Sequence, residues 1–260
     1  MASGRRTAAV GPALITNRHN DPVTSDGPVH VVVLDRGREL SGAVRDGESW
    51  AAAARRTCAS LHAEPEPVDL SGDIKQFVVD HDVRIGLRAM TRADVDDVLA
   101  WRSNEALMRW WSPGELGDRD AIVAKYAERV DGMSPTRMWV VEINGRSAGF
   151  IQDYRIGDYP DYAVLGPDPD AIGVDYAIGA DQWRGRGLGQ RMLWAWMSRA
   201  RTRFPDATTY FAAPDHRNAA SLRILAKAGF EQGVWFDEPQ PDGSTTTVVG
   251  CTLDVATVIG

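Results

Sequence analysis

The stretch that decides the fold is residues 182–189, which read Gln-Trp-Arg-Gly-Arg-Gly-Leu-Gly. The segment before it, residues 175–179, has the composition of a strand, and residues 192–200 after it predict a helix. A glycine-rich turn between a strand and a helix leaves main-chain N–H groups free to point at one spot. The positive end of the helix dipole faces the same spot. The pattern therefore predicts a phosphate-binding pocket.

Three kinds of glycine loop bind phosphates, and the glycine spacing separates them. A Walker loop ends in Gly-Lys-Ser/Thr, which this stretch lacks. A dinucleotide loop needs Gly-x-Gly-x-x-Gly early in a βαβ unit. Here Gly185, Gly187 and Gly189 alternate with other residues, late in the chain. The segment 184–189 instead resembles the pyrophosphate loop of the GCN5-related N-acetyltransferases (GNAT), whose pattern is Gln/Arg-x-x-Gly-x-Gly/Ala.

A second segment, residues 218–230, supports the same resemblance. Asn218 has the residue type of a helix N-cap, and Gly229 suits the left-handed position that ends a helix. The GNAT family carries an Asn, a short helix and an Ala-Gly-Phe stop at this place. In that family the Asn side chain also holds the pantetheine arm, and the resemblance assigns that role to Asn218.

The resemblance implies an α/β (α+β) GNAT fold, in which a twisted, splayed, mixed sheet is flanked by helices. We expect this domain over residues 83–260, after an N-terminal extension over residues 29–82 and a flexible segment over residues 1–28. The extension could be an added lobe, a dimer contact or a cover over the active site. The implied cosubstrate is acetyl-coenzyme A. The residues expected to bind it are Ile178, Arg184, Gly185, Arg186, Gly187, Leu188, Gly189 and Asn218.

The composition limits the kinds of ligand and partner that the protein is expected to bind. The chain has 260 residues, 43% of them hydrophobic, and a formal net charge of −7. This charge argues against nucleic acid and suits a small cationic or neutral amine. The two cysteines, Cys58 and Cys251, give neither a disulfide framework nor metal-ligand spacing, so no metal is expected. No apolar run is long enough to span a membrane, and a cytoplasmic monomer or homodimer is expected.

Other segments resemble the aminoglycoside 6′-N-acetyltransferases within this family. Residues 101–115 resemble a helix that ends in a Trp-Trp pair, and residues 149–154 resemble a Gly-Tyr-x-Gln-x-Tyr strand. Residues 173–175 resemble their Gly-Ile-Asp, and residues 238–243 carry a similar Pro-Asp-Gly. The resemblance implies transfer of acetyl to the 6′-amine of an aminoglycoside.

Direct acetyl transfer needs a base, because only a neutral amine can attack the thioester carbonyl. Asp175 resembles the family aspartate that binds and deprotonates the amine, and it lies on the strand that leads into the loop. The alternative is a purely structural role, in which Asp175 is a carboxylate at a strand edge that accepts a hydrogen bond from a local N–H group. Aromatic and acidic side chains around it are expected to bind a polycationic sugar. These substrate residues are Trp110, Trp111, Tyr154, Asp158, Tyr159, Asp175 and Asp215.

Two positions depart from the family pattern. Leu225 stands where the family places a tyrosine that protonates the departing thiolate, which leaves water or another residue, for example Tyr210, for that task. Ala213 stands where the aminoglycoside enzymes have an aspartate. Three alternatives therefore remain open: a siderophore-pathway lysine N-acyltransferase, in which Asp215 and His216 would act, a protein or peptide N-acetyltransferase, and a non-catalytic acyl-coenzyme A sensor.

Overall fold

The computed structural model describes residues 28–110, 119–159, 168–240 and 243–260. They form a four-stranded sheet near the N-terminus and a seven-stranded sheet in the rest of the chain. Parts of the sequence predictions lie outside the described residues: the flexible segment over residues 1–28, save for residue 28, the substrate role of Trp111, and two residues of the Pro-Asp-Gly segment over residues 238–243.

The N-terminal sheet contains β1 (His30–Asp35), β2 (Arg38–Ala43), β3 (Glu66–Asp69) and β4 (Ile74–Val79), in the order β2-β1-β4-β3. Strands β1 and β4 are parallel, and helix α1 (Trp50–Thr57) runs between β2 and β3 along the chain. Ser49 caps α1 by accepting a hydrogen bond from the Ala52 N–H. The sequence predicts a linker or turn over residues 63–67, but β3 already starts within it, at Glu66.

The seven-stranded sheet has the order β10-β11-β9-β8-β7-β6-β5. Its strands are β5 (Ile85–Ala89), β6 (Arg137–Ile143), β7 (Arg146–Arg155), β8 (Ile172–Ile178), β9 (Thr209–Ala212), β10 (Glu231–Pro239) and β11 (Thr245–Asp254). The helices are α2 (Val95–Arg102), α3 (Glu105–Met108), α4 (Arg119–Val130), α5 (Gly189–Arg203), α6 (Ala219–Lys227) and α7 (Val255–Val258).

A two-residue hairpin sets the register of β6 against β7. Asn144 and Gly145 both have positive φ angles, 52° and 74°, as the primed turns of tight hairpins require. The sequence predicts a turn at these residues, and the structure confirms it. Strand β7 pairs in turn with β8, and this pairing places Gln152 opposite Asp175.

The sheet splays between β8 and β9, as the fold prediction requires. These two strands are parallel, and their register covers only two pairs, Ile172 with Tyr210 and Gly173 with Phe211. Strand β9 ends at Ala212, two residues before Pro214. A proline nitrogen carries no hydrogen, so it cannot donate a hydrogen bond to a neighbouring strand. Beyond Gly173 the two strands separate, which opens a cleft along the second half of β8.

Helix α5 joins the two sheets. One hydrophobic cluster contains residues of both sheets and the buried face of α5. Trp194 of α5 meets Phe77 of β4 edge to face at 5.6 Å, and Trp196 meets Tyr210 of β9 at 4.9 Å. The N-terminal sheet therefore packs on the helix that follows the glycine loop.

Candidate active site

The glycine loop lies between β8 and α5, as the sequence predicts. Gly185 and Gly187 have φ angles of +70° and +67°, a region that residues with a side chain rarely adopt. The Gln190 amide donates to the Gly187 carbonyl at 2.7 Å and holds the turn. A Cβ on Gly189 would lie 2.6 Å from Ile224 of α6, so this glycine lets α5 and α6 pack closely.

Two buried side-chain N–H groups beside this loop lack a partner among the described residues. They are Nε1 of Trp183 and Nη1 of Arg184. The other terminal nitrogen of Arg184 pairs with Asp181 at 2.5 Å, which holds the guanidinium in place. Buried donors without acceptors are costly, and phosphate oxygens are the acceptors that Arg prefers. The loop therefore fits a diphosphate.

A cleft of about 740 Å³ extends from the loop along the splayed half of β8. Its walls come from β8, the loop, the segment after β9, and α6. Ten residues predicted for the site line it: Trp110, Asp175, Ile178, Arg184, Gly185, Gly187, Leu188, Gly189, Asp215 and Asn218. The other predicted residues within the described ranges, Arg186, Tyr154, Asp158 and Tyr159, are not among its lining residues.

The Asp175 carboxylate is held by two side chains of β7. It accepts a hydrogen bond from Nε2 of Gln152 at 2.7 Å and another from the Tyr154 hydroxyl. Gln152 in turn accepts from Nη1 of Arg129, on α4, at 2.8 Å. Burial raises the pKa of Asp175 above the ordinary aspartate value, although these hydrogen bonds and Arg129 act against the rise. A raised pKa brings a carboxylate base closer to neutral working pH.

The predicted substrate residues of β7 and of the turn that follows it are not among the cleft lining. The Tyr154 ring packs edge to face on Tyr159 at 5.4 Å, and the Tyr159 hydroxyl is 2.5 Å from Oγ1 of Thr136. Asp158 is exposed on the same short turn. Tyr154 thus contacts the candidate base, whereas Tyr159 supports Tyr154.

Other predicted residues lie elsewhere around the cleft. Trp110 is half-buried, with the Arg109 guanidinium 4.6 Å above its ring. Asp215 pairs with Arg217 at 2.6 Å, and this hydrogen bond lowers the pKa of the carboxyl. The exposed guanidinium of Arg186 lies 5.5 Å from the Trp183 ring.

Helix α6 is capped as its sequence predicts. The Asn218 side chain accepts a hydrogen bond from the Ser221 N–H at 3.1 Å, while the residue itself lines the cleft. Leu225 is fully buried in the core. The Tyr210 hydroxyl is also buried and is not part of the cleft wall. Neither residue is placed to protonate a sulfur atom in the cleft.

Three side chains that line the cleft are not singled out by the sequence: Gln152, Arg129 and Tyr176. Gln152 lies in the strand segment that resembles the family, so a signal for it existed. Arg129 lies on a helix that the sequence analysis did not predict. Tyr176 is adjacent to Asp175, but only the structure brings it to Ser221.

A glycine loop at the start of a helix, a splayed sheet and a carboxylate in the cleft are features typical of one class of proteins, the acyl-transferring enzymes whose acyl carrier contains a diphosphate. The profile of the acetyltransferase (GNAT) domain matches residues 90–237. This match covers more than half of the chain, so the chain belongs to the GNAT acetyltransferase family. It is an acyl-coenzyme A-dependent N-acetyltransferase.

Two curated relatives are aminoglycoside N(6′)-acetyltransferases type 1, from Klebsiella pneumoniae and from Serratia marcescens. Each is 26% identical over 168 residues, which are 64% of this chain and 82% of the relative. The likeness supports the resemblance seen in the sequence.

Solved structures show the same fold. Aminoglycoside acetyltransferase AAC(6′)-Ib in complex with coenzyme A and kanamycin superposes with a TM-score of 0.57 at 23% identity, covering 66% of this chain and 95% of that chain. An aminoglycoside N(6′)-acetyltransferase from Legionella pneumophila gives a TM-score of 0.51 at 19% identity, covering 66% and 92%. At these identities the likeness establishes the fold alone.

None of the described helices is long and apolar enough to cross a membrane. Among the described residues, no group of three or more His, Cys, Asp or Glu side chains is arranged to hold a metal ion.

Proposed function

We propose that this enzyme transfers the acetyl group of acetyl-coenzyme A to the 6′-amine of an aminoglycoside-type aminosugar. One observation carries the proposal: the Asp175 carboxylate lines the cleft that opens from the phosphate-binding loop. An amine bound to Asp175 is therefore next to a carrier whose diphosphate is bound by the loop. Such proximity supplies much of the rate of a two-substrate reaction.

The residues that would hold the carrier form one continuous wall. Main-chain N–H groups of residues 185–189, together with Arg184, would bind the diphosphate. Asn218 and Ile178, which also line the cleft, would contact the pantetheine arm. When bound, the carrier supplies the activated acetyl group, and the protein supplies position, a base and hydrogen-bond donors.

Asp175 would act as the base. Its ionised carboxylate accepts a proton from the amine, directly or through one water, as the new C–N bond forms. Strand β9 stops pairing after Gly173, so the N–H groups on that side of β8 have no partner strand over residues 174–178. One of these N–H groups would stabilise the negative charge that develops on the carbonyl oxygen.

The acceptor class is supported by the relatives and by charge. Both curated relatives carry the name aminoglycoside N(6′)-acetyltransferase. The formal net charge of −7 favours the approach of a polycationic sugar. Ala213 and the pairing of Asp215 with Arg217 leave fewer free carboxylates after β9, so Asp175 is the main anchor for the ammonium group. The cytoplasmic location and the monomer-or-homodimer state stay predictions of the sequence.

The test is release of coenzyme A thiol with a panel of amines. The key comparison uses two aminoglycosides that differ only at position 6′, where one carries an amine and the other a hydroxyl. We expect turnover with the first only, and mass spectrometry should place a single acetyl group on the 6′ nitrogen. The panel also contains lysine hydroxamates and peptides.

Asp175→Asn is the matched control, because it keeps the shape of the side chain and removes the base. We expect its turnover to fall by about 10²–10⁴-fold, with unchanged binding of coenzyme A in calorimetry. Turnover of lysine hydroxamates or peptides alone would replace the aminosugar by one of those acceptors. Tight binding of coenzyme A without turnover of any amine would indicate a sensor.

A further inference from the structure

When the acetyl group is transferred, the sulfur atom of coenzyme A departs as a thiolate, which needs a proton or a hydrogen-bond donor. Leu225, which stands at the position of the family tyrosine, has no donor and is buried. Tyr210, which the sequence suggests instead, has its hydroxyl in the core beside Trp196. The structure contains another hydroxyl pair, in the wall of the cleft itself.

Tyr176 and Ser221 form this pair. The Tyr176 hydroxyl lies 2.7 Å from Oγ of Ser221, and both residues line the cleft. Tyr176 is on β8 and Ser221 is in the first turn of α6, so the contact crosses from the splayed strand to the helix capped by Asn218. The Tyr176 hydroxyl also has a long contact, 3.4 Å, to the Ser221 main-chain carbonyl. If Ser221 Oγ donates to the phenolic oxygen, this long contact is the only bond that the phenolic proton gives up when it turns to an atom in the cleft.

The position of Tyr176 along β8 suits the departing sulfur. Successive side chains of a strand point to opposite faces, so Asp175 and Tyr176 flank the same short piece of backbone from two sides. A carrier that is held at the loop and extends along β8 passes Tyr176 before its acyl carbon reaches an amine on Asp175. The sulfur precedes the acyl carbon along that carrier, so it lies nearer to Tyr176.

We propose that Tyr176 is a catalytic residue whose hydroxyl, held by Ser221, donates its proton to the departing sulfur. This inference rests on the proposed function. When the C–N bond is complete, the C–S bond breaks and its electron pair stays on sulfur, which takes the Tyr176 proton. Ser221 is a positioning residue, since its hydroxyl supports the phenolic oxygen during the transfer. Asp175 has taken one proton from the amine, and exchange with water restores both side chains.

The environment keeps the phenol protonated. Burial, more than any other factor, raises the pKa of Tyr176 well above the ordinary tyrosine value, although Ser221 acts against this rise. At neutral pH the residue therefore always carries the proton that the sulfur needs. Because a phenol of raised pKa gives up its proton reluctantly, much of its effect is hydrogen bonding to the charge on sulfur.

The first experiment measures binding, not activity. Calorimetry compares coenzyme A with its desulfo analogue, which lacks the sulfur, at pH values of about 6.5 and 9.5, on either side of the ordinary thiol pKa of about 8.5. At the higher pH we expect native protein to bind coenzyme A at least about tenfold more tightly than the analogue, because a hydrogen bond to an ionised group contributes that much. At the lower pH the preference should be smaller.

Variants then assign this preference to one hydroxyl. Tyr176→Phe should lose it, Ser221→Ala should reduce it, and Tyr210→Phe should keep it as the matched control. With an accepted amine, kcat of Tyr176→Phe should fall by about 10²-fold while its Kd for desulfo-coenzyme A stays unchanged. A purely packing role for Tyr176 would instead weaken both ligands alike.

The outcomes separate this inference from the proposed function. If Tyr176→Phe keeps the preference, or if the native protein shows none at the higher pH, Tyr176 is not the donor while the enzyme assignment stands. If the native protein binds neither ligand, the proposed function itself fails. If Tyr176→Phe does not fold, Ser221→Ala decides, and an unchanged preference in that variant overturns the proposal.

Discussion

Replacing Arg191 by methionine should loosen the N-terminal sheet from α5, the helix that follows the glycine loop. Arg191 is in the first turn of α5, and its side chain is only 7% exposed. Its guanidinium donates to the Glu66 carboxylate of β3, to Asp80 at 2.7 Å, and to the Val83 carbonyl at 3.0 Å. One side chain therefore ties α5 to β3 and to the segment that connects the two sheets.

The expected loss follows from what the substitution leaves behind. Removing one partner of a buried ion pair costs about 3–5 kcal/mol. The side chains of Glu66 and Asp80 are 24% and 20% exposed, so water reaches their carboxylates. The expected loss of unfolding free energy is therefore at the lower end of this range, about 3 kcal/mol. In a chain of this size that loss lowers Tm by about 6–12 °C.

The pH dependence of the loss has a definite sign. Burial already raises the pKa of Glu66, and Arg191 opposes that rise. Without Arg191 the pKa of Glu66 rises further, so the folded state holds the proton more tightly than the unfolded state does. Stability of the variant is then retained at low pH and lost as pH rises through the new pKa. The penalty should be larger at pH 7 than at about pH 5.

Thermal and urea unfolding measure this penalty, and the exposed Arg146→Met is the matched control. Glu66→Gln, added to Arg191→Met, should recover part of the stability because it removes the uncompensated carboxylate. Binding of coenzyme A should weaken together with stability, since the loop precedes Arg191 by only a few residues. A Tm within about 2 °C of the native value would refute the reasoning.

Three further outcomes concern the cleft. Burial raises the pKa of Asp175, and only the ionised carboxylate is a base. On acidification kcat/KM should therefore fall at a pH above the ordinary aspartate pKa of about 3.9. A pH profile without this acidic decrease would exclude Asp175 as the base. Gly187→Val should abolish coenzyme A binding, since its φ of +67° is strained for valine, whereas Gly47→Val, at a φ of +72° outside the cleft wall, should leave binding intact. Asn218→Ala should lower stability by about 1 kcal/mol and weaken coenzyme A binding, and Asn218→Ser should restore stability through its cap; equal affinities for all three proteins would limit Asn218 to capping.

Local signals carried most of the fold prediction. The loop over residues 182–189 identified the strand before it and the helix after it. Its alternating glycines indicate a tight turn, because glycine adopts positive φ angles readily. Asn144-Gly145 identified a hairpin, since these residues adopt positive φ cheaply. The cap and stop of α6 were equally clear. Where the signals for turns and helix ends were weak, the prediction failed. Strand β2 was not predicted, and β3 begins inside a predicted linker that contains Pro67.

The contacts of the site could not be predicted from spacing. Gln152 meets Asp175 because β7 pairs with β8 in one register, and a shift of one residue would turn either side chain away. Tyr176 meets Ser221 from 45 positions away, across the gap left by β9. Arg191 meets Glu66 from 125 positions away. Long-range contacts of this kind depend on how elements pack, which residue order does not encode locally.

The sequence by itself determined the class of this protein, because a phosphate-binding turn works through main-chain groups whose geometry is set by nearby glycines and the start of one helix. The tertiary structure alone decided which side chains surround the reacting atoms. It buried Leu225 and the Tyr210 hydroxyl, brought Tyr176 to Ser221, and packed the N-terminal sheet against α5. The physical reason is that burial and side-chain pairing are properties of packed surfaces, whereas a turn is a property of a few consecutive residues.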